Sequence, residues 1–285
     1  NEFTHFIHED GNNNSIRQNL VSFVFEDSGG NLWVGTREEG LNLFELKEQK
    51  FFNLRMEKDN PYSLNCNSIW GMIEDSSGIL WIGTNTGGLN KFNRKSLAID
   101  HYRSLSDVSD SLSSNLIRCL FEDSEGIIWI GTLDNGLNKL DRKTDKLTNF
   151  KTDQNAPDCI CRGNINSIIE TDKDTLWISP ENQGLWRMNK LTGEFKQFRN
   201  FLPEKNILGQ DTILNMVYDN DGIIWLGTLG GGLNSFNINT GKFTNFTFDE
   251  KDPLSLSSNR IRDVIKVRND ILWIGTDIGG LNKFD

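Results

Sequence analysis

Four side chains could hold a small polar ligand between them: Trp70, Arg118, Asn166 and Arg262. Trp70, Arg118 and Asn166 stand 48 residues apart, and Arg262 follows at twice that interval. An indole offers a flat stacking surface. A guanidinium offers charge and donors, and an amide offers one donor group and one acceptor. That mix suits a sugar, and two arginines favour one that carries a carboxylate. Ser22 and Leu214 occupy the same column, so size, charge and polarity all vary along it. Asn182 and Trp186 lie where another part of the pattern breaks. Trp177-Ile178-Ser179-Pro180 replaces the Trp, aliphatic, Gly, Thr found elsewhere, and Trp186 replaces Asn42, Asn90, Asn138, Asn234 and Asn282. A rule broken locally in a regular array is where function or strain is expected. These six residues are the expected ligand site.

Catalytic chemistry finds little support. The three histidines are His5, His8 and His101. His5 and His101 share one repeat position, in an outermost strand. Neither a Ser-His-Asp arrangement nor a histidine metal cluster can form from them at a channel mouth. Gly230-Gly231-Gly232 sits in a strand-to-strand turn, with no helix N-terminus behind it to receive phosphate. Asp27, Asp75, Asp123 and Asp219 each precede a turn glycine by three and read as caps of turn amides. Asp219-Asn220-Asp221-Gly222 lacks the full oxygen set of a calcium loop. Cys159 and Cys161 lack zinc spacing and a nearby histidine, and Cys66 and Cys119 read as free thiols. The expectation is no catalysis, no metal and no cofactor.

The elements that position these residues come from an internal repeat. Trp33, Trp81, Trp129, Trp177, Trp225 and Trp273 are 48 residues apart each time, with Gly and then Leu beginning seven residues on. The third repeat serves as the type. Ile117 to Asp123 reads as a buried strand, and Ile127 to Thr132, Leu137 to Asp141 and Leu147 to Lys151 as three more. Turns rich in Gly, Asn and Asp join them. Four short antiparallel strands per repeat of this length mark a β-propeller blade. The expected class is all-β, a six-bladed β-propeller spanning 1–285 as a single domain. The repeated Trp is expected to pack between neighbouring blades.

The ends suggest how the ring shuts. Phe3-Thr4-His5-Phe6 matches the fourth strand Phe243-Thr244-Asn245-Phe246, and the chain stops in a third strand, Leu281 to Phe284. The N-terminal strand is therefore expected to complete the last blade. In such a ring the loops into each innermost strand share a face with the loops between second and third strands. That face surrounds the axial funnel. The second-to-third loops also vary, from Arg37-Glu38-Glu39 to Glu181-Asn182-Gln183 and Asp277-Ile278.

Composition narrows the partners. The net charge is −10 and the pI is about 4.9. An acidic chain without a basic stripe is a poor nucleic-acid binder. The longest apolar runs are of strand length, so no membrane insertion is expected within the chain.

The string from Ile69 to Phe92, with Glu74-Asp75-Ser76, Leu80-Trp81-Ile82-Gly83-Thr84 and Gly87-Gly88-Leu89-Asn90, resembles the two-component regulator propeller repeat. It returns at Ile117 to Leu140, and all six repeats match it. The resemblance implies an extracytoplasmic sensor region of a bacterial signalling protein that responds to a saccharide. It also implies adjoining signalling domains. Homodimerisation would suit the runner-up reading, an interaction platform without a small ligand. A weaker similarity, to the propeller of the streptogramin lyase group, would need histidines on the funnel side, and this chain has none there.

Overall fold

The computed structural model describes residues 3–150, 163–198, 212–219, 221–267 and 271–285. Cys159, Cys161 and Asn220 lie outside the described residues. Each repeat folds into one antiparallel sheet, and the fold class is a six-bladed β-propeller, all-β. In the third blade the strands are Ile117–Glu122, Ile127–Thr132, Leu137–Asp141 and Lys146–Phe150, each paired with the next. Five sheets have four strands and the last has three. The described residues divide into two compact units. One holds residues 1–122 with 126–150, the other 123–125 with 151–285.

Two recurring glycines have separate steric reasons. Gly88 closes the second-to-third turn at φ +92, and a Cβ there would lie 2.3 Å from the Tyr102 carbonyl oxygen. Only glycine fits that backbone without strain. Gly83, in the motif after Trp81, has an extended backbone. A Cβ there would come within 2.7 Å of Ile117 in the next blade, so the missing side chain sets how closely two blades approach.

The repeated tryptophans pack as expected. Trp33 and Trp81 are buried at 2 % and 1 % exposure. Trp33 joins Ile69, Met72 and Phe92 of the following blade in one apolar cluster, its ring 6.2 Å from that of Phe92. Trp81 does the same with Leu112 and Ile117. In the second unit Trp177 packs against Ile213, Met216 and Phe236. The aromatic face buried at each such contact is the main apolar contribution holding neighbouring blades together.

The repeated asparagine is a buried staple. Asn90 Oδ1 accepts the backbone N–H of Asn65 at 3.0 Å, and Asn138 Oδ1 accepts that of Ser113 at 2.8 Å. Each pins the loop entering the innermost strand to the third strand of the same sheet.

The strand expected to complete the last blade is not formed. The last sheet contains Ile261–Lys266, Leu272–Thr276 and Leu281–Phe284 alone, and Phe3–Ile7 belongs to no strand. The aromatic side chain that was to close the blade has another mate. Phe6 lies edge-on to Phe44 at 4.7 Å and to Phe51 at 5.9 Å, within the first blade. His8 N–H then donates to Asn19 Oδ1 at 2.7 Å, which fixes the loop that follows.

Candidate functional site

The variable column has a structural cause. Every innermost strand carries a β-bulge at its start. The pairing with the second strand skips between Val21 and Phe23, Ile69 and Gly71, Ile117 and Cys119, Ile165 and Ser167, Ile213 and Asn215, and Ile261 and Asp263. The skipped residues are Ser22, Trp70, Arg118, Asn166, Leu214 and Arg262. A bulged residue is released from the ladder, and its side chain is re-aimed. The scaffold therefore supports one free position per blade, at the strand end that meets the incoming loop.

In the first unit three of these residues differ in what they do. Ser22 Oγ donates to the Ile69 carbonyl of the next blade at 2.7 Å and so joins two blades. Trp70 and Arg118 form a stacked pair, with the guanidinium carbon 5.5 Å from the ring centre. Both are half-buried. Arg118 forms no ion pair among the described residues, and its Nε is buried without a hydrogen-bond partner. At Gly71, the next residue, an added Cβ would meet nothing within 4 Å. Burial pushes the neighbouring Cys119 thiol up to about 12 and keeps it protonated, although Arg118 acts the other way. That thiol is no nucleophile at neutral pH.

In the second unit the expected residues are largely committed to structure. Asn166 is buried, and its Nδ2 donates to the Ile213 carbonyl at 2.9 Å, repeating the role of Ser22. Trp186 is 2 % exposed, with Nε1 donating to the Gln183 carbonyl at 3.1 Å. Its indole fills the space of the usual asparagine staple instead of facing solvent. Asn182 adopts φ +57, and its Oδ1 accepts from Thr212 Oγ1 at 2.6 Å. Arg262 is exposed but paired with Asp277 through Nε and, at 3.0 Å, through Nη2, and Arg260 Nε joins at 2.8 Å. Hydrogen bonds from Arg262 and then Arg260 hold the Asp277 carboxyl below its ordinary value. Of the six expected residues, Trp70 and Arg118 are the two that combine partial exposure, mutual contact and freedom from a carboxylate.

A second set of charged residues joins cations on the turns between third and fourth strands to carboxylates at the turns between first and second strands. Arg142 Nη1 meets Asp75 of the preceding blade at 2.5 Å, and its Nη2 meets Glu122 of its own blade at 2.5 Å. Glu122 in turn accepts from Ser76 N and Oγ at 2.8 and 2.7 Å. Arg94 repeats this with Asp27 and Glu74. In the second unit Lys190 takes Asp123 at 3.0 Å and Glu170 at 2.6 Å. These clusters are fully satisfied and serve blade packing. Among the described residues no group of three or more His, Cys, Asp or Glu is placed to hold a metal ion. No helix there is long and apolar enough to cross a membrane.

The family model for the two-component regulator propeller matches residues 15–38, 63–86, 111–134 and 207–230. No curated protein matches the chain. Among solved structures, the extracellular domain of the hybrid two-component system BT3049 from B. thetaiotaomicron superposes with a TM-score of 0.71 at 22% identity, covering 98% of this chain. That of BT4673 from the same organism gives 0.58 at 21%, covering 95%. PorZ, a surface component of the type-IX secretion system of Porphyromonas gingivalis, gives 0.68 at 18%, covering 93%. At these identities the likeness shows the fold. The chain spans 42%, 42% and 38% of those structures.

Proposed function

We infer, from four segments that match the two-component regulator propeller model, a ligand-binding sensor module of a bacterial signalling protein that works without catalysis. The module stands outside the cytoplasm, as do the extracellular domains it superposes on. The ligand class is a saccharide, with an acidic one favoured. One observation carries this reading: the half-exposed Trp70–Arg118 stack, on two neighbouring bulges that free both side chains. An indole face stacks on the apolar face of a sugar ring. A guanidinium held over that indole keeps donors free for hydroxyl or carboxylate oxygens.

Calorimetric titration of the chain with a panel of neutral and acidic oligosaccharides tests it. Saturable heat that is lost in both Trp70→Ala and Arg118→Ala supports the reading. Absence of binding across the panel, with self-association that grows with protein concentration, overturns it in favour of an interaction platform. Turnover of any panel member also overturns it.

A further inference from the structure

The first blade breaks the loop pattern of its counterparts at one residue. Asn65, Ser113 and Ser257 occupy the column in which the first blade has Arg17. In those blades the side chain completes the asparagine staple by accepting its amide. Asn90 Nδ2 donates to Asn65 Oδ1 at 2.9 Å, Asn138 Nδ2 to Ser113 Oγ at 2.9 Å, and Asn282 Nδ2 to Ser257 Oγ at 2.8 Å. Arg17 keeps only the backbone half of the motif, N–H to Asn42 Oδ1 at 3.2 Å. A guanidinium has no acceptor, so it cannot make the other half.

Its side chain instead lines an open cleft of about 520 Å³ that also involves His8, Gln18, Leu20 and Arg55. The nearby carboxylates are already engaged. Glu39 pairs with Arg55 at 2.6 Å, Glu38 accepts from Gln18 Nε2 at 3.0 Å, and Asp10 lies 3.2 Å from His8. Among the described residues lining this cleft, Arg17 is the basic side chain without a carboxylate. Its Nη2 donates to the neutral Asn13 Oδ1 at 3.0 Å, and its Nε is buried without a hydrogen-bond partner. A buried charged donor with no acceptor loses its hydration without return, and an anionic oxygen restores it.

We propose that this cleft is an anion subsite for the carboxylate of a small polar acid, a uronic-acid sugar being the class that fits. Arg17 takes the carboxylate. The exposed Leu20 offers an apolar surface to the ring. The subsite stands whether or not Trp70 and Arg118 bind a ligand.

Nuclear magnetic resonance of the arginine Nε–Hε groups in the whole chain tests it directly, with Arg17→Lys assigning the Arg17 signal. Titration with D-glucuronate should move that signal saturably, and D-glucose should not. The shift should shrink at high salt. Arg17→Gln should weaken glucuronate binding about tenfold, as expected for one charge-assisted hydrogen bond. Arg118→Ala should leave the Arg17 titration unchanged, which separates this subsite from the Trp70–Arg118 reading. An Arg17 signal that glucuronate does not move, or that glucose moves equally, overturns the proposal. So does a folded Arg17→Gln variant with unchanged affinity.

Discussion

Trp81 Nε1 donates to Asp75 Oδ2 at 2.7 Å, and the same carboxylate oxygen takes Arg142 from the next blade. The repeated tryptophan is thus more than an apolar plug. Its indole N–H helps to hold a buried carboxylate that also caps its own turn, through Ser77 N–H and Ile79 N–H at 2.9 and 3.0 Å. Trp33 and Asp27 repeat the arrangement.

The indole therefore has two separable contributions. Trp81→Ala should cost roughly 3–5 kcal/mol, because a fully buried aromatic leaves a cavity. Trp81→Phe keeps most of the ring but leaves Asp75 one donor short, and should cost about 1–3 kcal/mol. Denaturant unfolding of both variants measures this. A phenylalanine variant as stable as the parent would show that the indole N–H contributes nothing.

Acid should loosen the blades through these carboxylates. Burial opposes ionisation of Asp75. Hydrogen bonds from Ser77, Trp81 and the Ile79 amide, with Arg142, outweigh that and hold its carboxyl below the ordinary value. Asp27 behaves alike, with burial overcome by Trp33, Asn31 and Arg94. A carboxyl whose folded pKa is depressed gives stability that is complete above its unfolded pKa. That stability is lost as pH falls through the folded value. Melting temperature should thus fall below the ordinary aspartate range, and Asp75→Asn should flatten that fall. An Asp75→Asn variant with the parent's acid profile would refute the assignment.

Arg142 and Asp75 should be energetically coupled. Removing one partner leaves a largely buried charge uncompensated, while removing both leaves none. Arg142→Met and Asp75→Asn should each destabilise. The double variant should lose less than their sum, by roughly 0.5–3 kcal/mol. A double-mutant cycle by denaturant unfolding reads this value, and strict additivity would place the pair outside the blade contact.

Much of this was legible in the repeat itself. The period of the tryptophans located every blade. In the third, Ile127–Thr132 and Leu137–Asp141 form as read, because alternation and turn glycines are local signals. The ion clusters are non-local, and a single repeat does not reveal them. The columns do. Where Asp gives way to Thr171, the cation column holds Ile238 and the Glu column holds Tyr218. Three substitutions that change together mark three side chains that touch, and Trp177 Nε1 then donates to Thr171 Oγ1 at 3.1 Å. The site was legible only as a column of variation. A bulge frees a side chain in every blade, but the sequence does not say whether it faces a neighbouring blade, as Ser22 and Asn166 do, or open space. The terminal match of Phe3 and Phe6 to a fourth strand misled for a related reason. An aromatic pattern fixes what kind of surface is sought, and the Phe44–Phe51 pair in the first blade satisfies it.

The Trp70–Arg118 stack separates binding from folding. A partly exposed cation–π contact contributes about 0.5–1 kcal/mol, so Arg118→Ala should lower stability by no more than about 1 kcal/mol. Its effect on an acidic saccharide should be larger, because the lost group supplies both charge and directed donors. Arg118→Lys discriminates further. A lysine keeps the charge but loses the planar fork, so it should restore folding fully and binding only in part. Affinity in the parent should fall with added salt, and the Arg118→Ala variant should show a shallower salt dependence. Parallel thermal melts and calorimetric titrations make the comparison. If Arg118→Ala unfolds the chain as severely as Trp81→Ala, the stack is a blade fastener like Ser22, and the ligand must be sought elsewhere.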